Sequence, residues 1–381
     1  MSAYDVKQIF IDMEQDLINN MRRNLARHEA EEAELGFNWE QWQQRKIESL
    51  QRYRKENRLI INRHGTQVDA ETGELLKGSF LGGAQKADAK LYKASYIQRI
   101  ASKLTEPITR VDGTDSTFFQ INDRRLNALV TAVTQDLQRG RFAMLRQADD
   151  VYRKTIFRSQ MYYNSGAVTV TKAIDMATRD FLDRGFNCIT YSDGRTVDIA
   201  AYSEMVLRTS AMQASFAGEG ARRSEWGINT VVVSTHGNCS DRCMPWQGRV
   251  YIDDVYGSDN GNGGDYPLLS TAVGGGLFGP NCRHNSGTYI PGVSSEPEQV
   301  DEGKAEDLYD AEQKQRYMER QIRQYKRREI GSVDPDNQAA AADKVKQWKG
   351  KLTNHLDEYP DLRRDRSRER IGNRYVPPVA N

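Results

Sequence analysis

The sequence predicts an α+β protein that is mainly helical, with long amphipathic helical arms flanking one small α+β domain. Two observations predict this class. Apolar residues recur at helical spacing over most of the chain, whereas β-branched runs and hairpin turn signals concentrate between residues 187 and 292. The composition agrees, because 38% hydrophobic and 28% charged residues indicate long helices with much of their surface facing water or a partner.

The N-terminal segment predicts a helical hairpin over residues 1–64. The first helix covers 2–35, and a break at 36–38 precedes a second helical pattern over 39–61. The apolar stripe of the first helix consists of Val6, Ile9, Phe10, Met13, Leu17, Ile18, Met21 and Leu25. Neither helix is apolar all round, so each stripe needs a partner elsewhere in the chain or in another subunit.

Residues 65–121 predict a connector followed by a helix. The connector contains VDAETGELLKGSFLGG, in which glycines surround a turn signal between two short segments that could pair. The helix covers 84–104, and 107–117 is predicted to be a loop. Helical periodicity returns in a region over 122–186, with one interruption at 164–166.

Residues 187–292 predict the small α+β domain. Asp193-Gly194 is a two-residue hairpin turn signal, and Asp198 is placed to cap a helix over 199–218. The β-branched run INTVVVSTH predicts a strand, and GRVYIDD and SGTYIPG predict two more. This region therefore combines short strands with one helix.

An acidic linker over 293–306 precedes a basic helical tail over 307–381, with helices at 307–330 and 337–355. Arginine and lysine side chains crowd the first of these helices and are candidate contacts for nucleic acid or an acidic partner. These candidates are Arg316, Arg320, Arg323, Lys326, Arg327 and Arg328. Interleaved glutamates leave a second interpretation open, namely a solvated helix with internal salt bridges.

Three of the four cysteines and two of the five histidines lie in two loops, HGNCSDRCMPWQG and GPNCRHNSG. The candidate ligands of a structural zinc ion are Cys239, Cys243, Cys282 and His284, with His236 as a substitute ligand. However, the Cys282–His284 spacing is tight, and on an extended strand these side chains would point to opposite faces. Free thiols without any cofactor are therefore the alternative.

Several function classes find no support in the sequence. The 54 basic residues balance 53 acidic ones, so no whole-protein field attracts nucleic acid. No apolar run predicts a membrane contact, and four cysteines without a secretory signal indicate synthesis in a reducing cytoplasm. No HExxH, Walker or GxSxG motif occurs, so we assign no catalytic residue and expect no enzyme. A thiol of Cys239 or Cys243 activated by a histidine is the enzymatic alternative.

The segments VDIAAYSEMVLRTS, VVVSTHGNCSDRCMPWQGRVYIDD and GPNCRHNSGTYIPG, followed by an arginine-rich helix, resemble the phage minor capsid protein 2 family, within the wider Mu F-like head morphogenesis group. The resemblance implies a structural protein of a tailed-phage virion, made in the host cytoplasm and acting at the portal vertex in head assembly, with a further role in DNA packaging or ejection. The implied partners are the portal protein, the major capsid protein and phage DNA. The alternative of another class is a metal- or thiol-dependent enzyme acting on the cell envelope or nucleic acid.

This function would suit helical arms whose apolar stripes are buried on different partners. We therefore expect the isolated chain to have mobile arms. Limited proteolysis should then leave a fragment near 187–292 with helical neighbours.

Overall fold

The computed structural model describes residues 3–35, 39–101, 116–164, 168–257, 265–295, 297 and 301–372. Helix accounts for 72% of the residues that the structure describes, so the mainly helical α+β class is confirmed. The helices are α1 Ala3–Leu35, α2 Trp39–Ala101, α3 Ser116–Asn164, α4 Val170–Arg184, α5 Ile199–Glu225, α6 Leu269–Gly274, α7 Glu302–Gly331 and α8 Pro335–Glu358. The strands are β1 Ile189–Thr190, β2 Thr196–Val197, β3 Thr230–Val233, β4 Val250–Ile252 and β5 Ser286–Thr288.

The chain forms two compact units, each built from segments that are not contiguous in sequence. The sheet unit contains residues 1–3, 70–135 and 204–311, and the helical unit contains 4–69, 136–203 and 312–381. These units divide the chain differently from the six sequence segments. Among the described helices, none is long and apolar enough to cross a bilayer.

In the helical unit, the apolar stripe of α1 is buried by the chain itself. All eight residues of the stripe are at most 5% exposed. Polar contacts fix the same helix, since the Glu14 carboxylate accepts a hydrogen bond from the Phe186 N–H at 3.2 Å and the Asn20 amide donates to Asn57 at 2.9 Å. The expectation that neighbouring molecules complete this stripe is therefore wrong, because the partner helices lie in the same chain.

Helix α2 runs without a break through residues 65–83, so the predicted connector and its turn are wrong. Gly83 packs against the carbonyl of Ser215 on α5, and Gly218 packs against the carbonyl of Phe80 in the same way. A Cβ at either glycine would overlap the facing carbonyl oxygen. Buried positions also continue at helical spacing, namely Val68, Thr72, Leu75, Leu76, Ala84 and Ala87. The glycines are thus close-packing positions rather than turn residues.

The remaining helix predictions hold, with shifted ends. Asp198 caps α5 as predicted, because its carboxylate accepts from the N–H groups of Ala200 and Ala201 at 3.0 and 3.1 Å. The helix then continues to Glu225. Asp334 caps α8 through the N–H groups of residues 336 and 337. The loop predicted at 107–117 falls mostly outside the described residues.

The sheet unit contains a three-stranded antiparallel sheet in the order β4-β3-β5. All three strands were predicted, and β3 is central because it pairs with β4 along one edge and with β5 along the other. Val233 pairs with Ser286 of β5, and Val232 pairs with Val250 of β4. The β1-β2 hairpin around Asp193-Gly194 is also confirmed. Helix α6 was not predicted.

Candidate metal centre

Sheet topology brings the two cysteine loops together. Because β3 is antiparallel to both neighbours, its C-terminal end lies beside the N-terminal ends of β4 and β5. The first loop leaves β3 at Val233 and returns into β4, passing through a short 3₁₀ helix at Met244–Trp246. The second loop ends at Ser286, where β5 begins. Both loops therefore meet at one end of the central strand.

The backbone of the second loop is turned rather than extended. Asn281 adopts a left-handed conformation with φ 65°, which asparagine tolerates better than most residues. Residues 282–285 are not part of a strand. The expectation that Cys282 and His284 point to opposite faces is therefore wrong, since Cys282 Sγ lies 3.4 Å from His284 Nδ1.

Three of the predicted ligands form a tight group. Cys243 Sγ lies 3.7 Å from Cys282 Sγ, and donor atoms of Cys243, Cys282 and His284 all lie within 4.8 Å of one another. Cys239 is not in this group: its Sγ lies 3.6 Å from His284 Nε2, the other ring nitrogen, and donates to the Ser240 carbonyl. The structure thus brings together three of the four predicted ligands and places the fourth thiol beside them.

Gln247, which was not predicted from the sequence, contacts both histidines, through the backbone of His236 and the ring of His284. Its Oε1 accepts from the backbone N–H of His236 at 2.9 Å and lies 3.0 Å from His284 Nε2. Since this oxygen can only accept, His284 Nε2 carries the hydrogen and Nδ1 keeps its lone pair. The Gln247 amide nitrogen donates to Met244 Sδ at 3.1 Å. A glutamine carries no ligand signature in sequence, so only the fold reveals this role.

His236 is engaged elsewhere. Its Nε2 donates to the Arg283 carbonyl at 2.7 Å, and its ring packs edge-on against His284 with centroids 4.7 Å apart. Burial lowers the pKa of His236, which favours the neutral ring that this packing needs. The predicted substitute ligand therefore acts as a packing partner of His284.

The cluster lies in the hydrophobic core of the sheet unit. Cys239, Cys243 and His284 are all buried, whereas Cys282 is partly exposed. Burial raises the pKa of Cys239 to about 11. The hydrogen bond to Cys282 and then burial raise the pKa of Cys243, whereas the hydrogen bond from Cys243 holds the pKa of Cys282 well below its usual range. Cys282 is therefore the thiol that most readily carries negative charge.

The six basic candidates on α7 lie in the helical unit, and most of them bind groups of the chain itself. Arg323 donates to the carbonyl of Arg368 and Lys326 to that of Glu369, at the end of a short 3₁₀ helix. Burial lowers the pKa of Lys326 to about 8. These side chains thus satisfy carbonyl groups that a helix end leaves without partners.

The others differ in exposure. Arg327 donates to the carbonyls of Leu182 and Asp183, both at 3.0 Å, and Arg328 pairs with the Asp183 carboxylate. Arg316 forms an ion pair with Glu312 at 2.9 Å. Arg320 is exposed, and its guanidinium lies 5.9 Å from the ring centre of Tyr317. Contact of these six residues with nucleic acid stays a prediction.

Comparison with known proteins places the chain in a family. The family model described as "Phage minor capsid protein 2" matches residues 2–357. The chain is 24% identical over 227 residues to "Structural protein" of Lactococcus phage LL-H, covering 58% of this chain and 61% of that protein. It is 30% identical over 102 residues to "Structural protein" of Lactococcus phage mv4, covering 26% of this chain and 83% of that protein.

The chain thus spans less than two thirds of the LL-H protein. No solved structure matches it. The family model nevertheless extends over nearly the whole chain, through both compact units. This protein therefore belongs to the phage minor capsid protein 2 family.

Proposed function

We propose that this protein is a structural component of a tailed-phage virion that acts at the portal vertex in head assembly and takes part in DNA packaging or ejection. Family membership over residues 2–357 carries the proposal. Both phage relatives are named "Structural protein", which agrees with it. The proposed partners are the portal protein, the major capsid protein and phage DNA.

The surface of α2 in the sheet unit supports a protein contact. Leu81, Tyr92 and Tyr96 are 59%, 60% and 66% exposed. Eleven residues make three helical turns and four make one, so these side chains share one face of the helix. Exposed apolar side chains that share a face mark interaction surfaces. We assign this α2 stripe to contact with the portal or the capsid.

Contact with DNA is proposed for the exposed part of α7. Arg320 lies beside Tyr317, whose side chain is 46% exposed. A guanidinium binds phosphate oxygens and an aromatic ring stacks on bases, so this pair suits a nucleic-acid backbone. The other five basic side chains already bind groups of the chain and contribute less to such a contact.

The proposal is tested by complementing a phage that lacks this gene with the double variant Leu81→Asp and Tyr96→Asp. Tyr92 is left unchanged because its ring contacts Trp226 at 5.2 Å. We expect a folded, soluble variant, verified by circular dichroism, that is absent from purified heads and lowers the phage titre. Lys93→Ala, an exposed change on the same helix, is the matched control and should be incorporated normally.

Heads that carry the double variant in wild-type amounts would refute the assignment of the α2 stripe. An enzymatic role makes a different prediction, since it requires turnover that Cys282→Ser abolishes while head assembly proceeds. Measuring particle formation, and hydrolysis of cell-envelope material or nucleic acid, on the same preparations separates the structural role from the enzymatic role.

A further inference from the structure

We propose that Cys243 Sγ, Cys282 Sγ and His284 Nδ1 bind one Zn²⁺ ion, with water in the fourth position, and that the ion joins the loop before β4 to the loop before β5. The proposed site does not depend on the portal assignment. It uses three of the ligands predicted from sequence and omits Cys239.

The spacing of the donor atoms fits a tetrahedral ion. Zinc binds cysteine sulfur at about 2.3 Å and histidine nitrogen at about 2.0–2.1 Å. With tetrahedral angles, these lengths require a sulfur–sulfur distance of about 3.8 Å and a sulfur–nitrogen distance of about 3.5 Å. The observed distances are 3.7 Å between Cys243 and Cys282 and 3.4 Å between Cys282 and His284 Nδ1. Both distances that involve Cys282 therefore already match a tetrahedral site, and all three donor atoms lie within 4.8 Å of one another.

The environment of His284 also fits a ligand. Histidines that bind metals usually donate their second ring N–H to a fixed acceptor. Here His284 Nε2 donates to Gln247 Oε1, and that oxygen is held by the N–H of His236. The imidazole is therefore set with the Nδ1 lone pair towards Cys282.

The same geometry excludes the other candidates. Cys239 lies beside Nε2, which is already occupied by its hydrogen bond to Gln247. His236 donates its Nε2 hydrogen to the Arg283 carbonyl. A disulfide between Cys243 and Cys282 would need about 2.05 Å between sulfurs, whereas they are 3.7 Å apart. Two thiolates and an imidazole form a donor set that binds zinc in preference to hard cations such as Mg²⁺.

Binding balances charge within the core. Both sulfurs bind the ion as thiolates, and any thiol hydrogen that Cys243 or Cys282 carries leaves to solvent. Two thiolate charges then neutralise the charge of Zn²⁺, so the buried site gains no net charge. The hydrogen bonds between Cys243 and Cys282 and between Cys282 and His284 are then replaced by coordinate bonds from each of these donor atoms to the ion.

The test uses the purified full-length chain. Zinc is removed with a chelator, and Zn²⁺ is then titrated against a chromophoric competitor. We expect one zinc per chain, and a loss of affinity of at least about 100-fold in Cys243→Ser, Cys282→Ser and His284→Ala, because each removes a ligand. Cys239→Ser and Cys188→Ser, matched thiol controls, should keep both stoichiometry and affinity.

Gln247 gives a second readout. Gln247→Leu should weaken zinc binding about 10–100-fold, the usual effect of losing such an orienting acceptor. Gln247→Glu keeps the acceptor and should restore most of the affinity. If Gln247→Leu binds zinc as tightly as the wild type, the proposed orientation of His284 is refuted.

X-ray absorption at the zinc edge is measured on the wild-type chain, so the result stands even if a variant fails to fold. We expect two sulfur ligands at about 2.3 Å and two nitrogen or oxygen ligands at about 2.0 Å. A third sulfur, or loss of zinc in Cys239→Ser, would overturn the three-ligand set. Failure of the wild-type chain to bind zinc, or a Cys243–Cys282 disulfide in protein prepared without oxidant, would overturn the site itself.

Discussion

A buried ion pair between Arg223 and Asp253 gives the sharpest prediction about the sheet unit. Arg223 on α5 is 1% exposed, and its guanidinium pairs with the Asp253 carboxylate, which is fully buried after β4. The second Asp253 oxygen accepts from the N–H groups of Val255 and Tyr256 at 3.2 and 2.9 Å. Glu219 lies 3.7 Å from the same guanidinium. We expect Asp253→Asn to destabilise the unit strongly.

The expected magnitude follows from the charge that is left behind. Removing one partner of a buried ion pair costs about 3–5 kcal/mol. An asparagine at this position can still accept from the two N–H groups, and Glu219 still faces Arg223, so we expect the lower end, about 3 kcal/mol. Removing both charges with Asp253→Asn and Arg223→Met should cost less than the sum of the single variants, by about 1–3 kcal/mol.

The assay is urea unfolding followed by tryptophan fluorescence, to which Trp226 and Trp246 of the sheet unit contribute. The free energy of unfolding is obtained for the wild type, both single variants and the double variant. A cost below about 1 kcal/mol for Asp253→Asn, or additive costs in the double variant, would refute the reasoning that the pair is buried and coupled.

Other predictions follow from particular contacts. Gly83→Ala should destabilise the protein by about 1–3 kcal/mol because its Cβ would overlap a backbone carbonyl. Gly78 is exposed with open space around it, so Gly78→Ala should stabilise the protein by about 0.5–1 kcal/mol. Thermal unfolding measures both changes. Arg327→Ala should cost about 1.5–3 kcal/mol without changing DNA binding, whereas Arg320→Ala should weaken DNA binding in low-salt gel shifts and cost less than about 0.5 kcal/mol. Burial raises the pKa of Glu219 from 4.5 to about 7. The stability from this group is therefore full below about pH 4.5 and lost as pH rises to about 7, and unfolding of Glu219→Gln should show a flatter dependence over that range.

Local signals predicted the strands and the Asp198 cap correctly. The run TVVV forms β3 because β-branched residues favour a covered, extended chain, and Asp198 caps α5 because its carboxylate reaches two N–H groups. Glycine gave the main error. In the sequence Gly83 looks like a turn residue. In the structure it allows close contact with the carbonyl of Ser215, which is distant in sequence, and no local sequence pattern indicates such a contact.

The candidate site was predicted in part for a related reason. Spacing gathered the cysteines and histidines into two loops, but which of them meet depends on the register of β3 with β4 and β5. The turn at Asn281 then directs Cys282 and His284 to one place. Likewise, the charge pattern of α7 could not distinguish Arg327, which faces inward, from the exposed Arg320.

Cross-linking mass spectrometry of purified, DNA-filled heads tests the proposed place of this protein most directly. Lys86 and Lys93 are exposed on α2 near the α2 stripe and provide suitable amines. We predict that the chain co-purifies with the particles and that these lysines cross-link to the portal protein or the major capsid protein. Heads that contain their full DNA but none of this chain would contradict the account.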